Sequence, residues 1–315
     1  MFRRLLDAPY VLLTLVPLLW AGNIVLGRYV VGAVPPIALS WFRWTLAFLI
    51  LLPIAWRALR QDWPIIRRHM GVLTLLSLSG ITLYNTLYYW GLQFTPALNG
   101  LLMQSTAPLL IALWAFVISG ERLRLGQAAG IALSLAGVLV IISRGDLDVL
   151  MSIRFEVGDL WLIAAILLYA FYSALLAKRP KMSQLGFLAV SIGWGAAMLT
   201  PAFVWERIAG PPLHFDALTV ASFAYVSIFA SVLAYLFFNR GIELVGPNRA
   251  APFFHLMPVF GSALAIMLLG ETPHLYHAAG YALVLTGVAI ATFAGQRRKS
   301  TMPKSARRLS DNIKL

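Results

Sequence analysis

The chain repeats part of its own sequence at an offset of 150 residues. Residues 91–142 align without a gap with residues 241–292, and 14 of the 52 positions are identical. Membrane-protein composition alone would give roughly four or five identities. A repeat this long indicates a duplicated half-protein, not a solenoid of short units. The identities fall largely on residues that set backbone shape: Gly91/Gly241, Pro108/Pro258, Gly120/Gly270, Glu121/Glu271, Gly130/Gly280 and Gly137/Gly287.

The composition is that of an integral membrane protein. Hydrophobic residues make up 60% of the chain and charged residues 12%, with a mean hydropathy of +0.80, whereas a soluble domain averages about 25% charged residues. The absence of cysteine excludes disulfides and Cys-ligated metals. Apolar segments long enough to cross a bilayer predict an all-α protein with ten spans: 10–31, 37–56, 70–91, 96–118, 126–143, 157–177, 184–205, 218–240, 248–269 and 277–294.

The positive charge is distributed by topology. Alternate connecting segments, with the C-terminal tail, hold 20 of the 25 Lys and Arg residues, whereas the opposite segments hold three of them and seven acidic residues. The positive-inside rule then predicts that both termini are cytoplasmic, which requires an even number of spans. The net charge of +13 therefore does not point to nucleic acid as a partner.

Each half contains five predicted spans, so the second half enters the membrane in the opposite sense. The sequence predicts a first repeat at residues 1–148, an inverted second repeat at 149–295 and a basic, disordered cytoplasmic tail at 296–315. Inverted repeats are typical of secondary transporters, which bind substrate near the membrane midplane between the halves.

The arrangement of prolines, glycines and one arginine carries a family resemblance. Each repeated proline, Pro108 and Pro258, stands twelve residues before a Gly-Glu pair, and a glycine-rich span follows the pair. Pro36 followed by Arg43 on the second predicted span completes the pattern. The chain thus resembles the drug/metabolite transporter superfamily and its EamA family, with a general similarity to amino-acid exporters of the YddG type. One departure is that the seventh predicted span has no arginine matching Arg43.

The resemblance implies a fold and an activity. It implies ten transmembrane helices in the EamA arrangement and a secondary carrier of small organic metabolites in the bacterial inner membrane. Transport is expected outward and by alternating access, with amino acids, including aromatic ones, as the leading substrate class. The partners expected are the substrate and the lipid bilayer, the chain is expected to be a monomer, and neither a cofactor nor an enzymatic activity is expected. Drugs or other metabolites are the alternative cargo.

Polar and aromatic residues on shared helix faces predict a substrate cavity. Aromatic walls with a few amides suit a flat or amphipathic organic solute, although several of these aromatic residues also fit the interfacial belt of a membrane protein. The candidate substrate-binding residues are Trp20, Asn23, Arg43, Tyr84, Asn85, Tyr88, Gln104, Ser105, Tyr169, Tyr235 and His255.

Two of these candidates carry or can carry a charge inside a span. Arg43 must be paired or face water; it either attracts a substrate carboxylate or ties helix ends together through backbone carbonyls. His255 either donates a hydrogen bond to substrate or carries a proton near neutral pH. The alternative is an interhelical hydrogen bond that fixes packing. No Asp or Glu is assigned to the inside of a span, so transport is expected to be uncoupled, exchange-type or coupled through His255.

The repeated residues also have two interpretations each. Pro108 and Pro258 are predicted hinges, because mid-helix proline leaves a carbonyl unpaired; the alternative is a static kink. The glycine stripes are predicted to pack helices within one chain, and the alternative is a dimer face. Glu121 and Glu271 are predicted to bond the N–H groups that open the next span, with proton coupling as the alternative.

Two other classes of function compete with a carrier. An intramembrane enzyme would need a clustered nucleophile, base or metal site, and His255 is the only histidine well inside a predicted span. A non-transporting membrane subunit would need neither cavity polarity nor a duplicated kink. The chain has no Walker-type phosphate-binding loop.

Overall fold

The described structure is helical. The computed structural model describes residues 6–30, 34–95, 97–209, 216–269 and 272–294, and these ranges contain no strand. Eight helices within them are long and apolar enough to cross a membrane. The helices are α1 (Pro9–Val30), α2 (Pro36–Arg68), α3 (Met70–Gly91), α4 (Ala97–Gln104), α5 (Ala107–Ser119), α6 (Leu125–Ile142), α7 (Leu147–Met151), α8 (Val157–Leu175), α9 (Gln184–Ala209), α10 (Thr219–Val245), α11 (Pro247–Ala250), α12 (Leu256–Leu269) and α13 (Leu275–Phe293).

The predicted count of ten spans stays a prediction. The apolar part of α1 with described side chains is short, Pro9–Asn23, and α12 has 14 residues. Neither belongs to the eight, in which α4 and α5 together supply one span. The tail and Glu271, for which the sequence analysis makes predictions, lie outside the described residues.

The helix α2 is longer than the sequence predicts. It runs from Pro36 to Arg68, twelve residues past the predicted end at position 56. The charged residues after that position end the apolar run but not the helix. The extension is held by Asp62, whose Oδ2 accepts hydrogen bonds from the backbone N–H and the hydroxyl of Ser183 at 3.0 and 2.5 Å.

The packing of the helices repeats between the two halves at the 150-residue offset. The first helix of each half packs mainly against helices of the other half. Helix α1 packs against α10 and α12, and α8 packs against α3 and α5. Two pairs of equivalent helices, α2 with α9 and α6 with α13, pack directly on each other. This exchange is the packing expected for two halves that share one fold.

The helices α6 and α13 meet along a glycine seam. A Cβ atom added to Gly130 would lie 2.6 Å from the carbonyl oxygen of Gly287, and one added to Gly137 would lie 2.8 Å from that of Gly280. Backbones that approach this closely gain dispersion along the whole contact. The prediction that the glycine stripes pack helices within one chain is therefore confirmed for these residues.

Two helix ends depend on glycine. Gly120 (φ 66°) ends α5 and Gly246 (φ 84°) ends α10 in the region of positive φ, where a side chain would be strained. The Glu121 carboxylate, predicted to cap the next helix, makes no hydrogen bond among the described residues. Instead the Gln127 side chain accepts the Arg124 N–H at 3.0 Å at the start of α6. The capping prediction for Glu121 is therefore wrong.

Candidate substrate cavity

A polar cavity lies between helices from both halves of the chain. It encloses about 430 Å³ of empty space, part of it open to solvent. Most lining residues come from α1–α4, and Tyr235 and Met257 come from α10 and α12. This space is called the polar cavity below. The residues that line it are Trp20, Asn23, Arg43, Tyr84, Asn85, Tyr88, Tyr89, Gln104, Tyr235 and Met257.

Eight of the eleven candidate substrate-binding residues line this cavity. The structure brings together Trp20, Asn23, Arg43, Tyr84, Asn85, Tyr88, Gln104 and Tyr235. Two lining residues are absent from the sequence analysis. Tyr89 stands four residues after Asn85, so the spacing of one helix face could have identified it, whereas no sequence pattern distinguishes Met257.

Arg43 is buried at the cavity wall without a carboxylate partner. Its side chain is 2% exposed, and it makes no ion pair with any described Asp or Glu. The guanidinium donates from Nε to Ser231 Oγ (2.6 Å), from Nη1 to Asn85 Oδ1 (3.0 Å) and the Tyr89 hydroxyl (2.8 Å), and from Nη2 to Ala230 O (3.0 Å). Arg43 thus bonds one backbone carbonyl, as one interpretation predicts, and also keeps an uncompensated charge beside the cavity.

Two π-helical turns at equivalent positions hold side chains of the cavity wall. They cover Leu78–Leu83 in α3 and Ile228–Leu233 in α10, 150 residues apart. A wider turn removes carbonyls from the regular α-helical ladder. The equivalent carbonyls of Gly80 and Ala230 both accept side-chain bonds: Gly80 O from the Tyr235 hydroxyl at 2.8 Å, and Ala230 O from Trp20 Nε1 at 3.0 Å as well as from Arg43.

The aromatic wall is built around Trp20. Its ring contacts those of Tyr235 and Phe238, with centroids 6.0 and 5.6 Å away, and that of Phe254 at 5.5 Å. Tyr169 also contacts Trp20, at 5.9 Å, and Tyr84, at 4.4 Å. Tyr169 is 1% exposed and does not line the cavity, so the structure places it behind the wall as a packing support.

A smaller apolar cavity lies on the other side of Trp20. It holds about 180 Å³ of empty space, part of it open to solvent, and is lined by Trp20 together with apolar residues. Trp20 lines both cavities and therefore stands between them. This space is called the apolar cavity below. Besides Trp20, the residues that line it are Leu13, Val16, Pro17, Phe238, Ala250, Phe253 and Phe254.

His255 and Ser105 lie away from the polar cavity and bond each other. His255 is 1% exposed; its Nε2 lies 2.9 Å from Ser105 O, and its Nδ1 lies 2.6 Å from Ser134 Oγ. A carbonyl only accepts, so Nε2 carries a proton and donates to it. One ring nitrogen is bonded to α6 through Ser134 and the other to the turn between α4 and α5 through Ser105, so the geometry fits a packing role between segments.

The repeated prolines stand at helix starts. The helix is interrupted between Gln104 and Ala107, and Pro108 falls in the first turn of α5. Pro258 likewise falls in the first turn of α12, after a 3-10 turn at Ala251–His255. The prediction that these prolines lie mid-helix is therefore wrong. A residue in the first turn has no intrahelical N–H bond to lose, so proline is tolerated there. The hinge role stays a prediction.

Two buried carboxylates, Asp159 and Glu206, occur at helix ends. Asp159, in the first turn of α8, is fully buried and accepts hydrogen bonds from Thr95 (2.7 Å) and Asn99 (2.9 Å). Glu206 near the end of α9 accepts the N–H groups of Ile37 (3.1 Å) and Ala38 (2.6 Å) that open α2. Both residues lie in the end turns of their helices, so the expectation that no Asp or Glu lies inside a span stays a prediction.

Comparison with known proteins agrees with the duplicated sequence. The model of the EamA-like transporter family matches twice, at residues 8–143 and 156–293. An "uncharacterized transporter" of Archaeoglobus fulgidus is 30% identical, over 90% of this chain and 96% of the relative. A "probable amino-acid metabolite efflux pump" of Salmonella typhimurium is 29% identical, over 91% and 95%.

A solved crystal structure shares the fold. It superposes with a TM-score of 0.76 at 21% identity and covers 92% of this chain and 98% of its own. The family match confirms the resemblance drawn from the sequence, and the apolar helices agree with it. The chain therefore belongs to the EamA-like transporter family, as a multi-pass membrane protein.

Proposed function

We propose that the chain exports small organic metabolites, with amino acids including aromatic ones as the leading class, by alternating access. The observation that carries this proposal is the polar cavity, which joins one buried cation, three amides and several aromatic rings from both halves. Relatives of Salmonella typhimurium and Escherichia coli are named "probable amino-acid metabolite efflux pump", which supports export and this class of cargo.

The position of the cavity suggests which side it opens to. In the proposed orientation, with both termini cytoplasmic, Tyr88 and Tyr89 lie within three residues of the outer end of α3 at Gly91. The cytoplasmic ends of neighbouring helices are tied by ion pairs of Arg240 with Asp7 (2.9 Å) and of Arg179 with Glu243 (2.9 Å). We assign this arrangement to an outward-open state of a monomer in the bacterial inner membrane.

The domain boundaries proposed from the sequence also fit this mechanism. Repeats at residues 1–148 and 149–295 would each supply five spans, and the cavity lies between them. The two π-helical turns and the two helix interruptions before Pro108 and Pro258 stand at equivalent positions. Equivalent weak points in two inverted halves would allow the bundle to open alternately to the two sides.

Solute counterflow tests this function. Purified protein is reconstituted into liposomes loaded with unlabelled amino acids, and the uptake of labelled tryptophan, threonine and a cationic drug is followed. We expect saturable tryptophan or threonine uptake that is lost in Asn23→Ala protein of normal folding. Uptake of the drug alone would move the cargo to the alternative class, and uptake of no solute would favour a non-transporting subunit.

A further inference from the structure

We propose that the polar cavity holds its substrate by an anionic group, with a carboxylate as the leading candidate. This group is bound at Arg43, and the amide nitrogens of Asn85 and Gln104 are further donors. The inference rests on the proposed transport of small organic solutes and narrows the class of solute. It predicts that an anionic group is required for binding and that an ammonium group is not.

The charges around the cavity are one-sided. Arg43 is the single charged residue among the described lining residues, and no described Asp or Glu lines the cavity. An unpaired buried cation is costly because it has lost its hydration without gaining a counter-charge. The Trp44 ring, 4.8 Å from the guanidinium carbon, offsets this cost only in part. A substrate anion would supply the missing counter-charge.

The hydrogen-bond acceptors of Arg43 are all neutral. They are two hydroxyls, an amide oxygen and a backbone carbonyl, and together they occupy four of the five guanidinium N–H groups. A purely structural clamp on the Ala230 carbonyl would not need a full positive charge at the wall of a cavity. The four bonds therefore hold the guanidinium in place, and its charge and remaining N–H are available to a ligand.

Two of the three cavity amides add donors that are poorly satisfied within the protein. Arginine only donates, so the Asn85 atom that contacts it is the oxygen, and Nδ2 is turned away from Arg43. This Nδ2 lies near the Tyr235 hydroxyl without forming a well-aligned hydrogen bond, and Gln104 Nε2 has no partner among the described residues. Both side chains are 5% exposed. A buried polar group without a partner is costly, so an acceptor-rich substrate group would satisfy the cavity at three points.

A matched set of indole ligands tests the charge requirement. Tryptophan carries a carboxylate and an ammonium group, indole-3-propionate carries the carboxylate alone, and tryptamine carries the amine alone. Binding to the full chain is measured in detergent by ligand-induced thermal stabilisation, and competition is measured in tryptophan counterflow. We expect tryptophan and indole-3-propionate to bind within about tenfold of each other and tryptamine at least about 30-fold more weakly.

Variants then assign the preference to Arg43. Arg43→Gln should reduce the difference between indole-3-propionate and tryptamine below about threefold, and Arg43→Lys should keep the preference with weaker binding because the fork is lost. Arg57→Gln, an exposed position on the same helix, is the control and should keep the wild-type preference. The wild-type comparison stands by itself where a variant fails to fold.

The outcomes separate this inference from the proposed function. Tryptamine binding as tight as that of indole-3-propionate, or the binding of none of the three ligands, would overturn the anion site. Saturable flux inhibited equally by tryptamine would leave the carrier standing without the anion site. Binding of indole-3-propionate without any flux would leave the anion site standing and refute transport.

Discussion

Replacing Trp20 by alanine removes the side chain that separates the polar cavity from the apolar cavity. The two spaces of about 430 and 180 Å³ would then connect through the volume of the lost ring. We expect Trp20→Ala to open a water-accessible route from the polar cavity to Val16, which is 2% exposed in the native protein.

The free-energy cost of this change can be bounded from the contacts. Truncation of a buried Trp to Ala typically costs about 3–5 kcal/mol. We expect a value at the lower end, because Ala230 O keeps its hydrogen bond to Arg43 when Trp20 Nε1 is lost. Trp20→Phe should cost about 0.5–1.5 kcal/mol, the worth of one hydrogen bond, and should leave the two cavities separate.

Thiol labelling measures the route directly, because the native chain has no cysteine to remove. A single Val16→Cys substitution is labelled in spheroplasts with a membrane-impermeant thiol reagent. We expect the labelling rate to rise at least about tenfold with Trp20→Ala and to stay low with Trp20→Phe. Asn23→Cys, in the polar cavity, should be labelled in every background.

Two results would refute the reasoning. Rapid labelling of Val16→Cys with Trp20 intact would show that Trp20 does not separate the cavities. Equally slow labelling with Trp20→Ala, in protein that melts normally, would show that the two spaces do not join when the ring is removed.

Three further predictions concern the helix contacts. Gly137→Ala should lower the stability in a detergent melt by about 1–3 kcal/mol, because its Cβ would meet the Gly280 carbonyl at 2.8 Å. The control Gly71→Ala, whose Cβ would meet no atom of a neighbouring element within 4 Å, should raise the stability by about 0.5–1 kcal/mol. A change of the same sign for both variants would contradict the seam. Glu206→Gln should cost about 1–2 kcal/mol at the start of α2 in the same melt, and Glu121→Gln less than about 0.5 kcal/mol; equal effects would remove the capping role. Pro108→Ala and Pro258→Ala should lower counterflow turnover more than the yield of folded protein, and equal losses of both would favour a folding role.

Helix faces explain how much of the cavity the sequence could predict. Trp20 and Asn23 are three residues apart, and Tyr84 and Tyr88 are four apart, so each pair shares one side of a helix. Polar groups on one side of an apolar helix are expected to face protein, and five helices, α1–α4 and α10, bring polar or aromatic side chains together at the cavity. Tyr169 satisfies the same rule but packs against the ring of Tyr84, since sequence spacing gives a direction and not a depth.

The backbone irregularities could not be predicted in the same way. The π-helical turns at Leu78–Leu83 and Ile228–Leu233 follow from the partners that their carbonyls find in distant helices, such as Tyr235 for Gly80. Pro108 signals a break, but the sequence does not show that the break precedes the proline and leaves it in a first turn. Both features depend on tertiary contacts that local composition does not encode.

The glycine seam limits which helices can move in the proposed transport cycle. With backbones in contact at Gly130, Gly137, Gly280 and Gly287, neither α6 nor α13 can slide or rotate without a clash of main-chain atoms. Neither helix contributes a side chain to the polar cavity. We therefore expect these two helices to form a fixed spine, and the alternating access proposed above to be carried by the other helices moving around it.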